Sequence, residues 1–181
     1  MNEGQRSGHM KQLLLLRHAK AAPAEEALAD IGRVLTERGE QDARRMGERL
    51  REHFERPDLI LTSPATRTRQ TAGWVARALA YPEPEIAIVE RLYLAGLEEI
   101  LDVIRGQAHT VARLLVVGHN PGLTELAQRL APTFPLDDLP TAGAVGLDVE
   151  ALGWAELSAE SARLAYCDYP KNPSAPTSDL L

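Results

Sequence analysis

Leu13-Leu14-Leu15-Leu16-Arg17-His18-Ala19 is the stretch on which the fold turns. Four consecutive leucines make a strand buried on both faces, and the run stops at two polar side chains that could not continue into such an interior. Arg17 and His18 therefore stand at a strand end. In an open parallel sheet the crevice beyond the carboxyl ends of the strands is where ligands bind, so the pair marks a candidate site. Taken alone, an Arg-His pair is also what opens an ordinary surface loop, and the remaining chain has to decide between the two.

At 181 residues the chain fits one domain with a full core. Hydrophobic residues at 44% and charged residues at 25% are ordinary for a globular protein. A net charge of -6 argues against general affinity for nucleic acid or an anionic membrane, so any anion site must be local. The single cysteine, Cys167, leaves no intramolecular disulfide and no cysteine cluster for zinc, which fits a reducing compartment. No apolar run approaches a membrane span and the N-terminus does not read as a signal peptide, so the expected location is cytoplasmic. Residues 1–11 read as an extension outside the fold, 12–168 as a single domain, and 169–181, with Pro170, Pro173 and Pro176, as a proline-rich tail without fixed structure.

Working outward from the leucine run, residues 19–35 read as a loop over the strand end. Thr36 then caps a helix whose stripe is Ala43, Met46, Leu50 and Phe54. Pro57 ends it, and 58–62 is a second buried strand. Ser63-Pro64 has the pattern of an N-cap followed by proline at the first helical position, opening a helix to about Leu79. A third strand is expected at 85–89 and a helix at 97–106. Arg113 to Gly118 is a strand that leads into His119-Asn120-Pro121, again a capping pattern, and a helix to about Leu130. Val145, Leu147 and Val149 alternate with Gly146 and Asp148 as in a half-exposed strand near a sheet edge, and 154–157 and 162–166 could be further strands. Strands alternating with helices predict a three-layer α/β/α sandwich with a mostly parallel central sheet.

Such a sheet brings three strand ends to one edge: Arg17-His18, Thr62-Ser63-Pro64 and His119-Asn120-Pro121. Free N–H groups at helix starts favour an anion there. Arg67, in the first turn of its helix, opposes the helix dipole unless an anion compensates it, and its guanidinium, like that of Arg17, can hold two phosphate oxygens at once. The five histidines His9, His18, His53, His109 and His119 show no metal-ligand spacing with cysteine or carboxylate partners, so neither a metal nor another cofactor is expected.

Leu16-Arg17-His18-Ala19, Ser63-Pro64 with Arg67 and Gln70-Thr71, and Gly118-His119-Asn120-Pro121, in that order, resemble the histidine phosphatase superfamily, which has the phosphoglycerate mutase-like fold. Ala19, Asp30, Arg33-Val34-Leu35-Thr36 and Gly39 look like its SixA-type phosphohistidine phosphatase branch. The resemblance implies that His18 attacks phosphorus and forms a phosphohistidine that water hydrolyses, while Arg17, Arg67 and protonated His119 bind the phosphoryl oxygens. Glu90 lies about where mutase-like members carry a general acid, although a solvated glutamate is the plainer reading. The implied partner is a phosphorylated substrate, either a phosphohistidine protein or a small phosphorylated metabolite. A non-catalytic phosphate-binding module and a phosphoglycerate mutase-type transferase are the alternatives.

Overall fold

The computed structural model describes residues 10–24 and 29–173, so the expectations for 1–9, 25–28 and 174–181 lie outside the described residues. In chain order the elements are β1 (Met10–Arg17), α1 (Glu37–His53), β2 (Leu59–Thr62), α2 (Thr66–Ala78), β3 (Ala87–Ile88), α3 (Leu97–Arg105), β4 (Arg113–Gly118), α4 (Gly122–Leu130), β5 (Ala144–Glu150) and β6 (Ala162–Asp168). Short 3-10 turns at Asp30–Gly32, Glu83–Glu85, Glu90–Leu92 and Trp154–Glu156 join them. One sheet has the order β3-β2-β4-β1-β5-β6. The β1/β4, β2/β4 and β2/β3 pairs are parallel, while β1/β5 and β5/β6 are antiparallel.

The leucine run explains the three layers. Leu13 and Leu15 face one core with Leu114, Val116 and Val145, covered by Ile100 and Ile104 of α3 and Leu123, Leu126 and Leu130 of α4. Leu14 and Leu16 face the other with Ile60, Leu115 and Val117, covered by Met46 and Leu50 of α1 and Val75 and Ala76 of α2. Period-two alternation places successive leucines on opposite faces, and each fully buried one contributes about 1.5–3 kcal/mol.

Several elements differ from the sequence reading. β1 begins at Met10, and buried Lys11 donates from Nζ to the carbonyls of His109 (2.7 Å) and Val111 (2.9 Å). β5 does lie near the sheet edge, next to the edge strand β6, but it is buried rather than half-exposed, and its glycine is there for packing, because a Cβ on Gly146 would lie 2.5 Å from the Phe54 ring. Trp154–Glu156 is a 3-10 turn rather than a strand, with the indole of Trp154 donating to the Val111 carbonyl at 2.8 Å. The tail is held as far as it is described: Arg49 donates to the Tyr169 carbonyl (3.1 Å) and pairs with Asp168 (3.2 Å). Among the described residues no helix is long and apolar enough to cross a membrane.

Candidate active site

The ends of β1, β2 and β4 meet at one edge of the sheet, where parallel pairing sets Arg17 opposite Gly118 and Thr62 opposite Val117. His18 N–H donates to the Gly118 carbonyl at 3.1 Å, and the His18 carbonyl accepts from Ala142 at 3.1 Å, so the backbone at His18 is pinned on both sides. A cavity of about 380 Å³ opens there, lined by Arg17, His18, Lys20, Ala21, Asp30, Arg33, Arg67, Leu94, His119, Asn120 and Thr141. A larger one, about 440 Å³, lies between β3 and α2, but its lining contains no histidine.

His18 Nδ1 lies 2.8 Å from the Ala19 carbonyl. A carbonyl only accepts, so this contact keeps the proton on Nδ1 and leaves a lone pair on Nε2. That nitrogen faces Nε of Arg67 at 3.4 Å. Burial, followed by the charges of Arg67, Arg17 and Arg33, pulls the His18 pKa down to about 4, against the opposing effect of the Ala19 hydrogen bond. At neutral pH His18 is therefore the free base, the form that can attack phosphorus.

His119 is 2% exposed, with Nε2 2.8 Å from Ser63 Oγ and Nδ1 3.5 Å from Nη2 of Arg67. Its ring centroid is 5.4 Å from that of His18. Burial, then the Arg67 charge, lowers its pKa to about 3. With no anion in the cavity His119 is thus held toward its neutral form, because the site that gathers cations for an anion repels a further positive charge.

Arg67 is almost fully buried and its two edges are used differently. Nη1 donates to the Asp30 carbonyl (2.7 Å) and Nη2 to the Asp30 carboxylate (3.0 Å), which turns the Nε and Nη2 side toward the histidines. Asp30 also accepts from Tyr93 Oη at 2.7 Å and pairs with Arg33 at 3.0 Å. The Tyr93 hydroxyl, then Arg33 and Arg67, hold its carboxyl well below the usual carboxylate range. Arg17 reaches across the sheet edge, donating to the Leu139 carbonyl at 2.6 Å and to Asp138 at 3.3 Å.

The structure thus brings Arg17, His18, Arg67 and His119 to one cavity and leaves Glu90 out. Glu90 is exposed at the start of its 3-10 turn and does not line the cavity; after the turn Leu94 lines it and the Tyr93 hydroxyl reaches Asp30. The helix-start readings are also corrected. Thr36 does cap α1, accepting from Gly39 N–H at 3.0 Å. Ser63 and Asn120 cap nothing: α2 begins after Ala65 and α4 after Pro121, while the Asn120 amide donates to Asp138 and Leu139. Asp30 was visible in the sequence only as part of a pattern, and no local signal marks its contacts with Arg67 and Tyr93. Among the described residues no three His, Cys, Asp or Glu side chains are grouped as they would be around a metal ion.

Comparison with known proteins agrees with this geometry. Residues 13–103 match the histidine phosphatase superfamily (branch 1). The chain is 36% identical over 147 residues to an uncharacterized protein of Picosynechococcus sp., covering 75% of this chain and 84% of that protein. Two solved structures assigned as SixA phosphohistidine phosphatases superpose on it. The one from Nakamurella multipartitia has a TM-score of 0.77 at 27% identity and covers 90% of this chain and 97% of that chain. The one from Agrobacterium tumefaciens has a TM-score of 0.72 at 29% identity and covers 88% and 98%. The chain therefore belongs to the histidine phosphatase superfamily, branch 1, as a phosphatase with the SixA-type fold.

Proposed function

We propose that this phosphatase works through a covalent intermediate on His18, needs no metal, and acts on phosphoryl groups whose leaving atom requires little proton assistance, with protein phosphohistidine as the leading substrate and small phosphorylated metabolites as the wider class. The observation that carries the reading is the lone pair of His18 Nε2, kept unprotonated by the contact of Nδ1 with the Ala19 carbonyl and accepting only a long hydrogen bond from Arg67 Nε at 3.4 Å on the cavity side. In the first step Nε2 forms a bond to phosphorus as the bond from phosphorus to the leaving group breaks, and the leaving group keeps the bonding electrons. Arg17 and Arg67 supply fixed positive charge and His119 a ring nitrogen where oxygen charge is spread in the transition state. Water then attacks phosphorus, returning His18 and releasing phosphate.

The choice among leaving groups follows from the cavity's acids. Asp30 is its only carboxyl group among the described residues, and three hydrogen bonds keep that carboxyl ionised, so it has no proton to give at neutral pH. An alkyl alkoxide departs poorly without an acid, whereas the nitrogen of a phosphoramidate is readily protonated by water. Turnover of a phosphohistidine protein, phosphoramidate and a panel of sugar phosphates tests this: kcat/KM should favour the phosphorus–nitrogen substrates. A clear preference for sugar phosphates would overturn it.

A further inference from the structure

We infer that Ser63 is a positioning residue: its hydroxyl donates to Nε2 of His119 and holds that ring in the tautomer whose Nδ1–H faces the phosphoryl group. The inference rests on the reading that the cavity takes a phosphoryl group, and it deepens that reading by assigning the donor.

Ser63 is 0% and His119 2% exposed, so the side on which they meet is sealed from water and the hydrogen bonds of the Ser63 hydroxyl must be completed within the protein. Ser63 Oγ already accepts from the Ala65 N–H at 3.3 Å. Its own proton needs an acceptor, and among the described residues the acceptor within reach is His119 Nε2, at 2.8 Å. If the ring instead carried its proton on Nε2, the Ser63 proton would be stranded in a dry interior. On the cavity side, Nδ1 meets Nη2 of Arg67 at 3.5 Å, too long for a good hydrogen bond, while Nη2 is engaged by Asp30 at 3.0 Å. A guanidinium cannot accept, so an Nδ1–H beside it makes two donors that converge on one missing acceptor, as two ligands of the same phosphoryl oxygen would.

The two histidines then share one tautomer and show the cavity opposite edges. His18 gives its Nδ1 proton to a carbonyl and presents a lone pair for attack. His119 accepts a hydrogen bond at Nε2 from a hydroxyl and presents its Nδ1–H for binding. Because burial and neighbouring arginines keep His119 neutral, it owns a single N–H, and the side on which that proton sits decides whether the ring attracts or repels a phosphate oxygen.

The test reads the ring nitrogens directly. In 15N-labelled wild-type protein at neutral pH, with His119 assigned by comparison with His119→Gln, Nδ1 should be the protonated nitrogen and Nε2 the bare one. In Ser63→Ala the proton should shift toward Nε2, and inorganic phosphate should bind about 10- to 100-fold more weakly. Ser63→Thr, which keeps the hydroxyl, should restore both. A wild-type ring protonated on Nε2 overturns the inference without any variant having to fold, and so does a folded Ser63→Ala protein with an unchanged tautomer and unchanged phosphate affinity. If wild-type protein shows the expected tautomer and binds no phosphate, the proposed function fails while the assignment of the hydrogen bond stands.

Discussion

Replacing Arg67 by lysine keeps the positive charge and removes the planar fork, which separates geometry from electrostatics at the centre of the site. In the structure Nη1 and Nη2 are spent on Asp30 at 2.7 and 3.0 Å, and the Nε and Nη2 edge is left for the cavity, 3.4 Å from His18 and 3.5 Å from His119. One ammonium cannot serve both edges, so either Asp30 or the phosphoryl group loses its donors. Two hydrogen bonds to a charged group are worth about 1.5–3 kcal/mol each, and the retained charge returns part of that. A net loss of about 3–4 kcal/mol corresponds to a fall in kcat/KM of about 10²- to 10³-fold. The assay is steady-state hydrolysis of an aryl phosphate and of phosphoramidate, with orthovanadate affinity as a binding readout and thermal unfolding as the control for folding. An Arg67→Lys enzyme within about threefold of wild type would refute the argument that the fork, rather than the charge alone, holds the phosphoryl group.

Glu90→Gln should leave turnover of both alkyl phosphates and phosphoramidate within about twofold of wild type, because Glu90 is exposed outside the cavity; a selective loss on alkyl esters would restore it as an acid. Acid should destabilise the fold: the folded pKa values of His18 and His119, about 4 and about 3, lie below the ordinary 6.5, so below pH 6.5 the unfolded chain takes up protons that the folded one refuses. Thermal unfolding followed from pH 7 to pH 4 should show this fall, and His119→Gln should make it shallower; equal slopes would contradict the assignment. Gly39→Ala should cost about 1–3 kcal/mol in urea unfolding and also lower turnover, since the added Cβ would lie 2.0 Å from the Lys20 carbonyl beside the cavity.

What the sequence shows of the fold is greatest where a pattern is long and local. Leu13 to Leu16 predict a strand covered on both faces, and the structure divides them between two cores. Ala43, Met46 and Leu50 mark the inner face of α1, and Thr36 its cap. Patterns shared by two causes mislead. Ser63-Pro64 carries the signature of a helix start, yet the hydroxyl turns to His119, 56 residues away in the chain. Gly146 between valine and leucine reads as the exposed phase of a half-exposed strand, whereas it is small because Phe54 packs on it.

The site divides in the same way. Arg17, His18 and His119 are readable because they end buried strands, and Arg67 because a cation in a first helical turn needs an explanation. Asp30 meets Arg67 and Tyr93 at sequence separations of 37 and 63, which no local pattern encodes. Glu90 is suggested only by the resemblance, as lying about where mutase-like members carry a general acid. A place in the chain does not say which way a 3-10 turn points its first residue.

The central claim is that His18 becomes covalently phosphorylated during turnover. Rapid quench of the enzyme with a phosphorylated substrate labelled in the phosphoryl group, followed by mapping of the label, tests it most directly. The expected result is acid-labile, base-stable phosphate on His18 that forms and decays at rates compatible with turnover and is absent from His18→Ala. Full activity of His18→Ala, or turnover with the label on another residue, would contradict it.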